Sequence, residues 1–195
     1  MTTRLILVCH APTAATRAAD FPDDEPLDEH GTTQAEANAG ALRRVGAVWC
    51  GPERRCSQTA AALGVSPVVD PALADLDVGS WRGHGLADLE SLDPTALMSW
   101  LTEPEAAPHG GESLRGLLDR TAAWLDGLGD DAGRVAAITH PSVIRAIVVN
   151  VLGAHAESFW RIDVSPLSQT IVSAHGGRWT LRETGHPLAD SRGEP

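Results

Sequence analysis

The chain has 195 residues, 43% of them hydrophobic, and a formal net charge of −11. This composition excludes a disordered or fibrous chain, and the length fits one domain, 1–195, with room for a sizeable core. All basic residues are arginines without a long cluster, which excludes a phosphate-tracking nucleic-acid surface.

No apolar stretch reaches membrane-spanning length, and the run after Met1 lacks the length and small-residue cleavage site of a signal peptide. The expectation is a soluble cytoplasmic protein with no membrane or nucleic-acid partner. Cys9, Cys50 and Cys56 are odd in number and lack CxxC spacing, against a disulfide framework or a zinc ribbon.

Leu5 to Val8 is a run of branched apolar residues without period-2 alternation, the pattern of a strand covered on both faces. It stops at Cys9-His10, and Pro12 cannot continue a central strand. His10 therefore falls just past the carboxyl end of a buried strand, where open α/β sheets keep their ligand crevices. Thr13 to Leu27 reads as a polar loop, with the acidic run Asp23-Asp24-Glu25 as a solvated turn. Thr32 to Arg43 predicts a helix started by threonine caps.

Ala47 to Cys50 is a second short strand closed by Gly51-Pro52, and Pro52 suits the first turn of a helix over Glu53 to Leu63. Pro67 to Val69 predicts a third strand. A turn-rich loop, Leu73 to Gly83, follows with two carboxylates, Asp75 and Asp77. Leu86 to Leu101 has helical periodicity, with Leu86, Leu89, Leu92, Leu97 and Trp100 inward and a break at Pro94. Leu114, Leu117, Leu118, Ala122 and Leu125 mark an amphipathic helix after Glu112.

Val135 to Thr139 is another continuous apolar strand, and it too ends in a histidine, His140, followed by Pro141. Val143 to Leu152 predicts a buried helix, Ala156 to Ile162 a shorter one, and Thr170 to Leu181 an edge hairpin. The core spans about 3–182, and the tail 186–195 reads as loose. Alternating strands and helices argue for an α/β three-layer sandwich with a mostly parallel central sheet.

Two strands that end in histidine are more specific than either alone. If those strands are neighbours, His10 and His140 meet above one sheet edge. A pair of imidazoles near an arginine suits phosphoryl transfer: one ring attacks phosphorus while donors hold the equatorial oxygens. Arg55, in the first turns of the helix after the second strand, suits such a donor, and the helix N-terminus adds partial positive charge. The remaining histidines, His30, His84, His109, His155, His175 and His186, read as solvent-facing, with His109 the one whose loop could line a pocket mouth. Trp49, Trp81, Trp100 and Trp160 read as core fillers.

From Leu5 to about Leu181 the chain resembles the histidine phosphatase superfamily, the phosphoglycerate-mutase-like branch 1. Cys9-His10-Ala11 with Thr13 stands where the family opens with Arg-His-Gly. Pro26-Leu27, Gly31 and Gln34-Ala35 are similar to its next segment, and Pro52 to Ala60 resembles its second-arginine segment, with that arginine at Arg55. Leu73-Ala74-Asp75 through Gly83 resembles the acidic loop. Gly110-Gly111-Glu112-Ser113 and Thr139-His140 complete the set.

The resemblance implies a phosphoglycerate-mutase-like fold and a metal-independent phosphomonoester hydrolase. It would act on a small phosphorylated molecule through a phosphohistidine, with no cofactor and with a homodimer compatible. It implies His10 as nucleophile, His140 and Arg55 as phosphate-binding groups, and Asp75 as general acid. Glu112 would orient basic groups of the pocket or simply cap a helix. Nothing supplies the extra phosphate-binding groups a mutase needs.

Two positions depart from the family pattern. Cys9 replaces a phosphate-binding arginine, and a thiol cannot supply a bidentate cationic fork; losing such a donor costs ~10²–10³ in rate. Ala11 replaces glycine, which bears on the approach of backbone to phosphate. Three readings stay open. Arg17 or Arg82 refills the pocket of a working phosphatase, although both also read as solvated surface arginines. Alternatively, the protein is a degenerate member that binds a phosphorylated or acidic ligand without turnover. In the third, Cys9 is itself reactive. A metal site from Cys9, His10, His140 and Asp75 lacks ligand-spacing support.

Overall fold

The computed structural model describes residues 2–188. Six strands form one sheet: β1 (Thr3–Cys9), β2 (Ala47–Cys50), β3 (Val68–Val69), β4 (Arg134–Thr139), β5 (Ser168–His175) and β6 (Arg178–Pro187). Their order is β3-β2-β4-β1-β5-β6. The β3-β2, β2-β4 and β4-β1 pairs are parallel, while β5 and β6 are added antiparallel. The helices are α1 (Ala14–Ala18), α2 (Glu29–Ala37), α3 (Arg54–Ala62), α4 (Leu86–Leu92), α5 (Pro94–Thr102), α6 (Leu114–Leu128) and α7 (Pro141–Leu152).

Successive residues of the central strands bury on opposite faces, as the unalternating apolar runs require. Leu5, Leu7, Val135 and Ala137 pack on one face with Leu117 and Leu125 of α6 and Ile144 and Ile147 of α7. Ile6, Val8, Ala136 and Ile138 pack on the other with Cys56 and Ala60 of α3, Leu42 and Leu63. The result is the expected three-layer α/β/α sandwich. Among the described residues no helix is long and apolar enough to cross a membrane.

Several boundaries differ from the sequence expectation for identifiable reasons. The predicted helix 32–43 begins earlier because Asp28, whose side chain accepts from the Gly31 amide, is the cap. Thr32 and Thr33 lie inside α2 and return their hydroxyls to the Asp28 and Glu29 carbonyls. The supposed loop after Thr13 holds α1, capped by the Thr13 hydroxyl. Leu86 and Leu92 are exposed rather than inward (46% and 73%), because within α4 a three-residue spacing drifts around the helix and leaves them to either side of buried Leu89. His186 and Pro187 of the predicted loose tail pair with Gln169 and Ser168; residues 189–195 of that tail lie outside the described residues.

One close approach fixes the loop after β1. A Cβ on Gly31 would sit 2.1 Å from the Pro12 carbonyl oxygen, so α2 presses bare backbone against the segment that follows His10. Gly31→Ala is expected to destabilise the protein by about 1–3 kcal/mol through overpacking. Gly127→Ala, in α6 with no atom within 4 Å of the new carbon, should be neutral or stabilising by up to ~1 kcal/mol. Urea denaturation of both variants checks the contrast; equal effects would contradict the close-packing assignment.

Candidate active site

β1 and β4 run in register as far as Cys9 opposite Thr139, and the His10 amide extends the ladder by donating to the Thr139 carbonyl at 2.9 Å. The next residue of each strand is thus brought to one place. The His10 and His140 rings lie 5.2 Å apart, edge to face, and both are buried. His10 Nδ1 is 2.7 Å from the Ala11 carbonyl oxygen. A carbonyl can only accept, so Nδ1 carries the proton and Nε2 keeps its lone pair. Burial, reinforced by the His140 ring and Arg55, pushes the His10 ring down from 6.5 to about 4.

Ala11 serves in place of glycine without strain, since its φ is not positive. Its amide donates to the Thr59 hydroxyl at 2.9 Å. The backbone service required at this position needs no missing Cβ.

α3 and α7 both begin at the site, and their peptide dipoles add positive potential there. Arg55, in the first turn of α3, is 2% exposed. Its Nη2 donates to Asp75 Oδ2 at 2.8 Å and its Nε to His140 Nδ1 at 3.3 Å, while Nη1 is buried without a partner among the described residues. On the far side of that ring, His140 Nε2 donates to Glu53 Oε2 at 2.7 Å, with the Cys56 sulfur at 3.3 Å. Glu53 also accepts from the Asp75 amide at 2.9 Å. Although burial opposes it, the His140 hydrogen bond and charge hold Glu53 below the usual carboxylate range.

Asp75 accepts from Arg55, from the Ser142 hydroxyl and from the Leu76 amide. Burial alone would raise its carboxyl; the charges of His140 and Arg55 and the Ser142 hydrogen bond overcome this and hold it far below the ordinary range. The free site therefore holds an ionised Asp75.

These groups open on a cavity of about 710 Å³. His10, Arg55, Asp75, Ser142 and Arg145 line its polar end, and Leu97, Trp100, Phe159 and Trp160 its apolar wall. Glu25 also lines it: far from being in a solvated turn, it accepts from the Thr13 hydroxyl at 2.7 Å and the Asp23 amide at 3.0 Å. Thr13 itself acts behind the wall, as helix cap and support for Glu25.

The remaining sequence candidates sit elsewhere. Arg17 pairs with Asp28 and Arg82 with Asp77, each arginine half-exposed, and neither lines the cavity. Glu112 forms a two-bond pair with Arg120, whose Nη1 donates to the Ala72 and Ala74 carbonyls; it braces the loop leading to Asp75. His109, expected at the surface, is buried against Trp81, with ring centroids 5.0 Å apart. Cys9 packs in the core and its thiol is pushed up strongly by burial, which argues against the reactive-thiol reading. The ligand-type atoms found together are instead those of Glu53, Cys56 and His140, already joined by hydrogen bonds.

Glu53, Ser142, Glu25 and Arg145 were not singled out by the sequence. An arginine inside the apolar run Val143 to Leu152 was the available signal for Arg145. Glu53 reads as an ordinary acidic helix start.

The sheet order, the paired histidines and the buried arginine define a histidine-phosphatase site, and comparison with known proteins agrees. The histidine phosphatase superfamily (branch 1) matches residues 5–186, and the chain belongs to that family. It is similar to the bifunctional protein Rv2228c of Mycobacterium tuberculosis, 30% identical over 87% of this chain and 50% of that protein. The chain thus spans about half the length of the first curated relatives it matches. A glucosyl-3-phosphoglycerate phosphatase of Mycolicibacterium vanbaalenii is 26% identical over 98% of this chain and 88% of its own. The solved structure of a mycobacterial glucosyl-3-phosphoglycerate phosphatase with VO3 superposes with a TM-score of 0.83 at 26% identity, covering 94% of this chain and 98% of that one.

The His10 environment makes a spectroscopic prediction. A ring held neutral down to about 4 keeps its Nδ1–H tautomer as pH falls from 8 to 5 and takes a second proton only near pH 4. Nitrogen-15 NMR of the histidine side chains checks this; a His10 ring titrating near 6.5 would contradict the buried, carbonyl-bonded assignment.

Proposed function

We propose that the chain is a phosphomonoester hydrolase acting through a phosphohistidine on a small phosphorylated molecule. The observation that carries this reading is the neutral His10 ring, Nε2 lone pair available, beside a buried Arg55 with one unpartnered Nη. A protein that only binds anions needs Arg55 and His140 but has no use for a readied nucleophile. The phosphatases among its relatives, including a phosphoserine phosphatase of Hydrogenobacter thermophilus at 24% identity, support the same reaction class.

His10 Nε2 attacks phosphorus as the ester P–O bond breaks, and Asp75 gives its proton to the leaving oxygen. The Nδ1–H bond to Ala11 O stabilises the positive charge that develops on the ring. Arg55 takes the equatorial oxygens. His140 Nδ1, which accepts from Arg55 Nε in the free site, joins it only once it carries a proton, with Glu53 behind the ring balancing the charge. Water then attacks phosphorus as the P–N bond breaks, Asp75 accepts the water proton, and phosphate leaves as the bonding pair returns to His10 Nε2. Asp75 begins ionised, so it must be loaded: the incoming phosphoryl group draws Arg55 away from it and sets a like charge beside it, and both effects favour its protonated form.

Glu53 holds the His140 ring from behind and keeps Nδ1 turned to the phosphoryl group.

Phosphate release from a panel of phosphomonoesters, with and without chelator, tests this. Turnover should survive chelator and vanish in His10→Ala, with no acid-labile phosphoenzyme formed. Asp75→Asn should lose more with alkyl phosphates than with 4-nitrophenyl phosphate, whose leaving group needs little protonation. Glu53→Gln should lower kcat by roughly 10- to 100-fold, the equivalent of one charge-assisted hydrogen bond of about 1.5–3 kcal/mol. Turnover unchanged in His10→Ala would overturn the mechanism.

A further inference from the structure

We propose that Arg145, on α7, supplies to the phosphoryl group the guanidinium that position 9 of β1 cannot. The inference rests on the phosphatase reading above and names a further binding residue for it. Position 9 adjoins the nucleophile, and its thiol offers neither charge nor a fork of donors. The two arginines that sequence position suggested as replacements are held away by Asp28 and Asp77.

Arg145 is differently placed. It follows His140 by little more than one helical turn and lines the same cavity as His10, Arg55, Asp75 and Ser142. The charge that acts on it most is that of Asp163, which forms no hydrogen bond with it, and its own charge is also felt at Cys9 and Asp75. Its stem is fixed: Nε donates to the Ile162 carbonyl at 2.8 Å, and its Cζ lies 5.7 Å from the Phe159 ring centroid. Among the described residues only Nε has a hydrogen-bond partner, so both terminal nitrogens remain for a ligand. A half-buried guanidinium anchored through Nε and stacked on an aromatic ring is a pre-organised anion donor.

The competing role for Arg145 is contact with a second anionic group elsewhere on the substrate. Orthovanadate separates the two, because it imitates the phosphoryl group and has no second group. Calorimetry of orthovanadate and inorganic phosphate, with turnover of 4-nitrophenyl phosphate, is therefore run on wild type, Arg145→Met, Cys9→Arg and Arg145→Met/Cys9→Arg. Arg145→Met should bind vanadate at least tenfold more weakly and lose kcat. The double variant, which returns a guanidinium from a different element, should recover at least tenfold of each, and Cys9→Arg alone should gain several-fold less; an equal gain in both backgrounds overturns the proposal. If Arg145→Met does not fold, Arg145→Lys keeps the stem and charge without the fork, and a several-fold weakening is expected there. Wild-type vanadate affinity in a folded Arg145 variant overturns the proposal while leaving the phosphatase reading intact. Neither vanadate binding nor turnover in wild type would overturn the phosphatase reading itself and this proposal with it.

Discussion

The parallel pairing of β1 with β4 is the constraint on which the rest of the site depends. Both strands end at the same height, and one further hydrogen bond, from the His10 amide to the Thr139 carbonyl, carries the ladder to its last rung. Two histidines 130 positions apart in the chain are therefore set side by side by backbone geometry, before any side-chain interaction is counted. β2 adjoins β4 on its other edge, and the Gly51 amide donates to the Ile138 carbonyl at 3.0 Å. That bond sets where α3 starts, hence where Glu53 and Arg55 stand. A side chain at position 51 would meet the Leu73 carbonyl oxygen at 2.7 Å and His140 Nε2 at 3.0 Å, so backbone alone fits there.

Charge organises what the strands assemble. In the free protein Asp75 neutralises Arg55, Glu53 faces His140, and Glu25 stands at the cavity wall. An anion can enter only by competing with these carboxylates, and in the proposed mechanism that competition readies the acid. Partnerless in its ester-free state, the outer nitrogen of Arg55 keeps some of the cationic field uncommitted. On a chain of net charge −11, attraction of a phosphate ester has to be local: beyond about a Debye length of 8–10 Å the surface field is screened and carries little of it.

The fold was legible where apolar runs end abruptly. Leu5 to Val8 and Val135 to Thr139 stop at histidine and then proline, and that punctuation located both rings. Arg55 followed from its helix start, while only the family resemblance picked Asp75 over Asp77. Interactions that depend on how loops meet in space were not legible. Asp28 and Asp77 capture Arg17 and Arg82, and nothing local foretells either pairing. Glu53 is indistinguishable from an ordinary helix-start acid until β4 brings His140 against it. Arg145 sits in a segment whose apolar neighbours read simply as buried helix. His109 reads as solvent-facing from its place in a loop, yet Gly79 and Gly111 let the backbone close over it.

All three thiols are held protonated by burial: Cys9, Cys50 and Cys56 are each pushed above the ordinary cysteine range. Peroxide and alkylating agents attack the thiolate, and selectively the exposed, low-pKa one. Cysteine-dependent phosphatases are silenced by that chemistry because their nucleophile is the vulnerable atom. On the proposed mechanism the reacting atom is a ring nitrogen, while the adjacent sulfur is sealed in hydrocarbon. A cysteine in place of an arginine beside that ring thus installs no redox switch, and the proposed hydrolysis stays uncoupled from the oxidation state of its surroundings.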